Sequence, residues 1–165
     1  MSELQPIPEG DDYKNIMKAN RIICATLMIG CSLFAIIVLT MMTLSVIEPA
    51  VDANEGSIFL IVLVILAGIC LVVARKNYNK SITSAKDSLN TMGEKLNVYR
   101  PAFIIYMAMC EGPALFGVIA FFLSGNYFTL VVTGVMLMAM LSKFPTVAKV
   151  VTDLGLSSQE QAELE

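Results

Sequence analysis

The sequence predicts an all-α, polytopic membrane protein with four transmembrane helices and a cytoplasmic helical extension between the second and the third. Three observations carry that expectation. Hydrophobic residues make up 56% of the chain and charged residues only 15%, with a mean hydropathy of +0.73, too little polar surface for a water-soluble domain of this length. Four apolar runs recur along the chain, three of them near the ~20 residues that cross a bilayer. The bases are confined to alternate connectors, as the positive-inside rule requires.

Residues 1–12 are acidic and contain Pro and Gly, so they read as loosely held. They have no basic leader of the secretory type. Within the cytoplasmic segment 1–21, Asp11 and Asp12 precede Lys14, Lys18 and Arg21. Tyr13, Ile16, Met17 and Asn20 share one helical face there, which predicts a short amphipathic helix on the membrane surface. The first hairpin covers residues 22–74. Its first span is 22–47, ended by Glu48-Pro49, and its connector carries Glu48, Asp52 and Glu55 but no base. The second span, 58–74, is bounded by Arg75-Lys76.

The connector 75–101 holds Arg75, Lys76, Lys80, Lys86, Lys95 and Arg100, six of the eleven bases. Ile82, Ala85, Leu89, Met92, Leu96 and Tyr99 follow one another at spacings of 3, 4, 3, 4 and 3, a heptad seam. This predicts a helix continuing from the second span, with a break at Gly93. The seam is too short for an independent coiled coil and is expected to pack on the protein's own helices. Arg100-Pro101 returns the chain to the membrane with proline in the first helical turn.

The second hairpin covers residues 102–143. Its spans are 102–123 and the shorter 127–141, joined by the polar turn Ser124-Gly125-Asn126, and Lys143 can snorkel to lengthen the fourth. In the tail, 144–165, Pro145 opens a surface helix to Asp153 and Gly155 marks its end. Ser157 with Glu160 fits a capping box. Three bases in the N-terminal segment, six in the middle connector, and Lys143 and Lys149 at the end of the fourth span and in the tail lie on one side, and none on the other. Both termini are therefore expected in the cytoplasm, with the protein in the inner membrane.

Glu111 stands alone in the third span. It lies ten residues past Pro101, about 15 Å at 1.5 Å per residue, near the middle of a hydrocarbon core about 30 Å thick. A carboxylate there costs roughly 2.5–3.5 kcal/mol on insertion scales, so by default it marks a functional site. Pro113 removes the amide that would bond the Met109 carbonyl, and Gly112 removes bulk from the same turn. Carboxylate and carbonyl oxygen are hard ligands suited to Na⁺ or H⁺. Alternatively Glu111 is held neutral by burial and donates a hydrogen bond that ties two helices together, with Tyr106, Thr40 or Thr133 as partner.

Other chemistries find little support. There is no histidine, the commonest metal ligand and base, and Cys24, Cys31, Cys70 and Cys110 sit in apolar runs without CxxC spacing. The methionines, Met136, Met138 and Met140 among them, read as apolar filling rather than copper ligands. No phosphate-binding glycine loop or nucleic-acid signature appears. The expectation is no enzyme, no cofactor, no metal and no nucleic-acid partner.

Ile29-Gly-Cys-Ser-Leu-Phe-Ala-Ile-Ile37 aligns with Glu111-Gly-Pro-Ala-Leu-Phe-Gly-Val-Ile119. The echo reads either as two repeated hairpins or as chance recurrence of short apolar motifs.

The run Glu111-Gly-Pro-Ala-Leu-Phe-Gly resembles the carboxylate helix of rotary ATPase proteolipid c subunits, which implies an ion-binding carboxylate at Glu111. The chain departs from that family in lacking a glycine-repeat helix, since the second span has only Gly68 and the fourth only Gly134. Residues 96–165 resemble a group of uncharacterised four-span bacterial membrane proteins, through Tyr99-Arg100, Glu-Gly-Pro-Ala-Leu-Phe, Ser-Gly-Asn, and the Pro145-Thr146 and Asp153-Leu154 pairs. That likeness implies fold and location and no activity. The functional expectation is a small integral membrane protein with a mid-membrane H⁺ or Na⁺ site, embedded in the lipid bilayer as a homo-oligomer or a membrane complex subunit. The alternative is a non-transporting scaffold or accessory subunit that binds a partner through its cytoplasmic helices.

Overall fold

The structure is a computed structural model that describes residues 10–46, 48–89, 91–157 and 159–160; the expectation for residues 1–9 lies outside them. Five helices follow in order: α1 Gly10–Thr43, α2 Ala53–Ser88, α3 Met92–Ser124, α4 Tyr127–Ser142 and α5 Val147–Leu154. Three of these, over 13–43, 56–88 and 92–124, are long and apolar enough to cross a bilayer, the mark of a membrane protein. The α4 helix, 16 residues long, meets the same test only when joined to α5 across a bend of 75°.

Several boundaries differ from the sequence expectation. The amphipathic segment is not a separate surface helix. Nothing between Asn20 and Ile22 stops α1, so it runs unbroken for 34 residues, and Tyr13, Met17 and Asn20 turn into the bundle instead of toward lipid. Its far end comes before Glu48-Pro49, in a Schellman motif: Val46 N–H reaches the Met41 carbonyl, Ser45 N–H the Met42 carbonyl, and Ser45 is left-handed at φ 56°.

The heptad connector breaks after Ser88, where α2 ends, and not at Gly93. Thr91 caps α3 through a reciprocal box with Glu94, each bond 3.4 Å. Ile82 and Ala85 thus belong to α2, Met92, Leu96 and Tyr99 to α3, and all are buried in one core. Pro101 falls inside α3, not in its first turn. The carbonyl it frees is that of Asn97, and both residues are exposed.

α3 is the central helix. Half of its apolar stretch is buried in the bundle, against 17% for α1 and for α2. α2 runs antiparallel to it: a side chain at Gly56 would meet Ser124, one at Gly117 would meet Leu63, and the Tyr78 ring contacts those of Tyr99 and Tyr106. α4 is antiparallel too, with Tyr127 on Phe121 and the Tyr106 hydroxyl on the Ala139 carbonyl. α1 is parallel to α3: Cys24 Sγ lies 3.8 Å from Met107 Sδ, and Val38 packs with Val118 and Phe121. The two echo segments therefore lie side by side at matched depth.

The bundle has unlike ends. At one end residues 49–51 meet the α3–α4 turn, where Gly125 at φ 65° caps α3 and the Asn126 side chain caps α4. At the other, the start of α1, the α2–α3 connection and α5 converge and bring the basic segments together. Arg21 Nε donates to the Pro145 carbonyl at 3.0 Å. α5 opens on its Thr146 cap, ends at left-handed Gly155, and buries Val150 and Leu154 across this end. Beyond it, Ser157 and Glu160 form the expected cap: Glu160 Oε2 accepts from Ser157 N–H at 2.7 Å. Large apolar side chains cover the outside as well; Ile36, Val72 and Val131 are each at least 60% exposed.

Candidate functional site

Glu111 is set at the edge of the central helix. Tyr106, Met107, Cys110, Ala114 and Gly117 make the buried face of α3, and Glu111, one position round from Cys110, is half-buried beside α1. Its carboxyl lies within electrostatic reach of the buried Cys31 thiol. Among the described residues no hydrogen bond or ion pair is made to it, and its oxygens are not among the enclosed polar atoms that lack a partner. The carboxyl thus reaches the outer surface of the bundle.

The hydroxyls proposed from the sequence as its partners are engaged elsewhere. Tyr106 Oη donates to the Ala139 carbonyl at 3.4 Å, toward α4. Thr133 Oγ1 donates to Ala114 at 3.0 Å and is 3.2 Å from the Thr129 carbonyl. Thr40 bonds back to Ile36 at 2.8 Å on an exposed face.

Pro113, whose missing amide frees the Met109 carbonyl on the same helix, is buried while Glu111 is at the rim, and side chains two apart on a helix do not face one another. Gly112 is exposed, and a side chain there would meet nothing within 4 Å. With the exposed Ala108 one turn before it, Gly112 leaves a low, open surface next to the carboxyl.

A second polar group, which the sequence reading missed, lies at the basic end. Tyr78 is at its centre, its ring 6.3 Å from Tyr99 and 5.7 Å from Tyr106, both edge-on. Its hydroxyl donates to Asp153 Oδ2 at 2.7 Å, and Lys143 Nζ stands 4.2 Å over its ring. Lys149 Nζ donates to the Ser142 carbonyl. On α1, Asn20 is wholly buried with neither amide atom bonded. A signal existed for the tyrosines, which cluster where apolar runs meet basic segments, the usual level of an aromatic belt. Nothing local in the sequence pairs Tyr78 with Asp153.

The four cysteines are free thiols; Cys24, Cys31 and Cys110 are buried. Comparison with protein-family models, with curated proteins and with solved structures returned no match.

Proposed function

We propose that the protein is a four-span inner-membrane protein whose Glu111 takes up and releases a proton at mid-membrane, working as a homo-oligomer or as a subunit of a membrane complex. α4 is the fourth span and α5 its bent continuation along the membrane surface. Positive-inside charge places both termini and the basic end in the cytoplasm. The observation that carries the reading is the unpartnered carboxyl at the edge of α3. A carboxyl that only ties helices together would be satisfied inside the protomer, because an unmet polar group in hydrocarbon is costly.

The proton is favoured over Na⁺. A hard cation takes about six oxygen ligands, and the hydroxyls of Tyr106, Thr40 and Thr133 donate elsewhere. The open surface at Ala108 and Gly112 gives access from lipid or a neighbouring subunit. In this the site is similar to the c-subunit carboxylate.

Carbodiimide labelling of the purified protein, read by mass spectrometry, tests the reading, since these reagents attack protonated carboxyls in apolar surroundings. Glu111 is expected to label, with labelling falling as pH rises, unchanged by Na⁺ and absent in Glu111→Gln. Protection by Na⁺ would transfer the site to that ion. An unlabelled Glu111 would remove the proposal and favour the rival, a scaffold whose cytoplasmic helices bind a partner. That rival draws on one observation of its own: α1, α2 and α3 continue past their apolar runs to build a folded basic end.

A further inference from the structure

A groove of about 430 Å³ runs between α2 and α3 at the basic end. Its α2 wall is polar: Asn77, Lys80, Ser81 and Ser84 recur at helical spacing and share one flank. Its α3 wall is apolar, made by Val98, Ala102 and Ile105. The serine hydroxyls make no hydrogen bond among the described residues, and Lys80 is exposed.

The antiparallel register fixes the depth of this groove. With Gly56 against Ser124, Leu63 against Gly117 and Tyr78 between Tyr99 and Tyr106, Lys80 stands level with Arg100 and Asn77 with Phe103. That is the level at which both apolar runs end, at Arg75-Lys76 on α2 and before Pro101 on α3. Lipid phosphates lie at such a boundary. Toward the membrane centre the same flanks continue with Val73 and Ile69 on α2 and Ile105 on α3, all exposed.

We propose that this groove binds an anionic phospholipid of the surrounding bilayer, its phosphate on Lys80 and the Asn77, Ser81 and Ser84 side chains, and an acyl chain along Ile105 and Val73. The chemistry of the lining selects that occupant. No acid lines the groove, and Lys76, one turn from Lys80, adds a second positive charge at its rim. A zwitterionic head group brings its own cation and gains little from the pair, whereas an anionic one adds charge attraction to its hydrogen bonds. The polar wall fits the phosphate and the apolar wall the glycerol and chain. A soluble phosphate compound would leave the apolar wall unused. The inference is independent of Glu111.

The test is native mass spectrometry of the detergent-purified protein given equal amounts of phosphatidylglycerol and phosphatidylcholine with identical chains. Phosphatidylglycerol is expected to be retained in preference. Lys80→Gln lowers its retention about fivefold, the worth of one base near a lipid surface. Lys18→Gln, which removes the same charge from exposed α1, leaves retention at the wild-type level. Equal retention of the two lipids, equal losses in the two variants, or displacement of the lipid by excess inorganic phosphate would each overturn the assignment.

Discussion

Gly117 sets α3 against α4 and α2, and Gly117→Ala measures how much that contact holds. An added Cβ would stand 2.3 Å from Thr133 Oγ1, 3.0 Å from the Thr129 carbonyl and 3.4 Å from Leu63 Cδ2. Turning Thr133 relieves the first clash but breaks its 3.0 Å bond to the Ala114 carbonyl, worth about 0.6 kcal/mol between membrane helices. The second contact is with main chain, so α4 must shift as a body. Overpacking of this kind costs about 1–3 kcal/mol, against about 0.5–1 kcal/mol gained by removing glycine from a helix. The net expectation is a loss of about 1–3 kcal/mol.

Gly134→Ala is the internal control. It lies on α4, next to Thr133, but its Cβ meets nothing within 4 Å, so only the helix gain of about 0.5–1 kcal/mol remains. The two exchanges should move stability in opposite directions. Thermal unfolding in detergent, followed with a thiol-reactive dye, reads both, because Cys24, Cys31 and Cys110 are at most 1% exposed until the helices part. A Gly117→Ala protein as stable as wild type, or a Gly134→Ala protein destabilised as much, would refute the packing argument.

Two further outcomes concern the basic end and the tail. Tyr78→Phe keeps the ring contacts but removes the hydroxyl that bonds Asp153 at 2.7 Å. A bond to a charged group is worth about 1.5–3 kcal/mol. Hydrogen exchange over Val147–Leu154 should therefore quicken while α4 stays protected, and unchanged exchange in α5 would show that Val150 and Leu154 alone hold it. Glu160 titrates below the ordinary carboxylate range, chiefly because its carboxylate accepts from the Ser157 backbone N–H. A lowered acid of this kind contributes stability above its unfolded-state pKa and loses it as pH falls through the folded value. The tail cap should thus persist at neutral pH and open on acidification. An NMR midpoint for Glu160 at or above about 4.3 would contradict this.

The sequence made some of these features legible and concealed others. Hydropathy located the three long helices, because their outer faces meet lipid and are as apolar as their inner ones. The α3–α4 turn and the tail cap were readable because Ser-Gly-Asn and Ser-x-x-Glu satisfy backbone groups within a few residues of themselves. The continuity of α1 was not legible: an amphipathic turn leading into a span looks the same whether it lies on the membrane or on a neighbouring helix. The break after Ser88 was missed for a similar reason. Gly93 is the weaker helix former, but Thr91 and Glu94 together stabilise a helix start, and Gly93 falls inside it.

At the candidate site, position along the chain placed Glu111 in the third span but not its rotational setting. Pro113 and the carboxyl look adjacent in one dimension and diverge on the helix. Which of the glycines is pressed against a neighbour, Gly117 and not Gly112, depends on α4, and nothing local to α3 announces it.

The two ends of the bundle are fastened by different kinds of bond. At the end holding residues 49–51, the Ala50 and Val51 amides both donate to the Leu123 carbonyl, at 2.8 and 3.2 Å, and Pro49 lies against Gly125. Those joints are main chain to main chain, indifferent to proton concentration and to salt. At the other end the fastenings are a phenol on a carboxylate, an ammonium over a ring and a guanidinium on a carbonyl, all of which answer to ionic conditions. Salt and acid therefore bear on the polar joints of one end only, joints that there add to the buried packing of Val150 and Leu154.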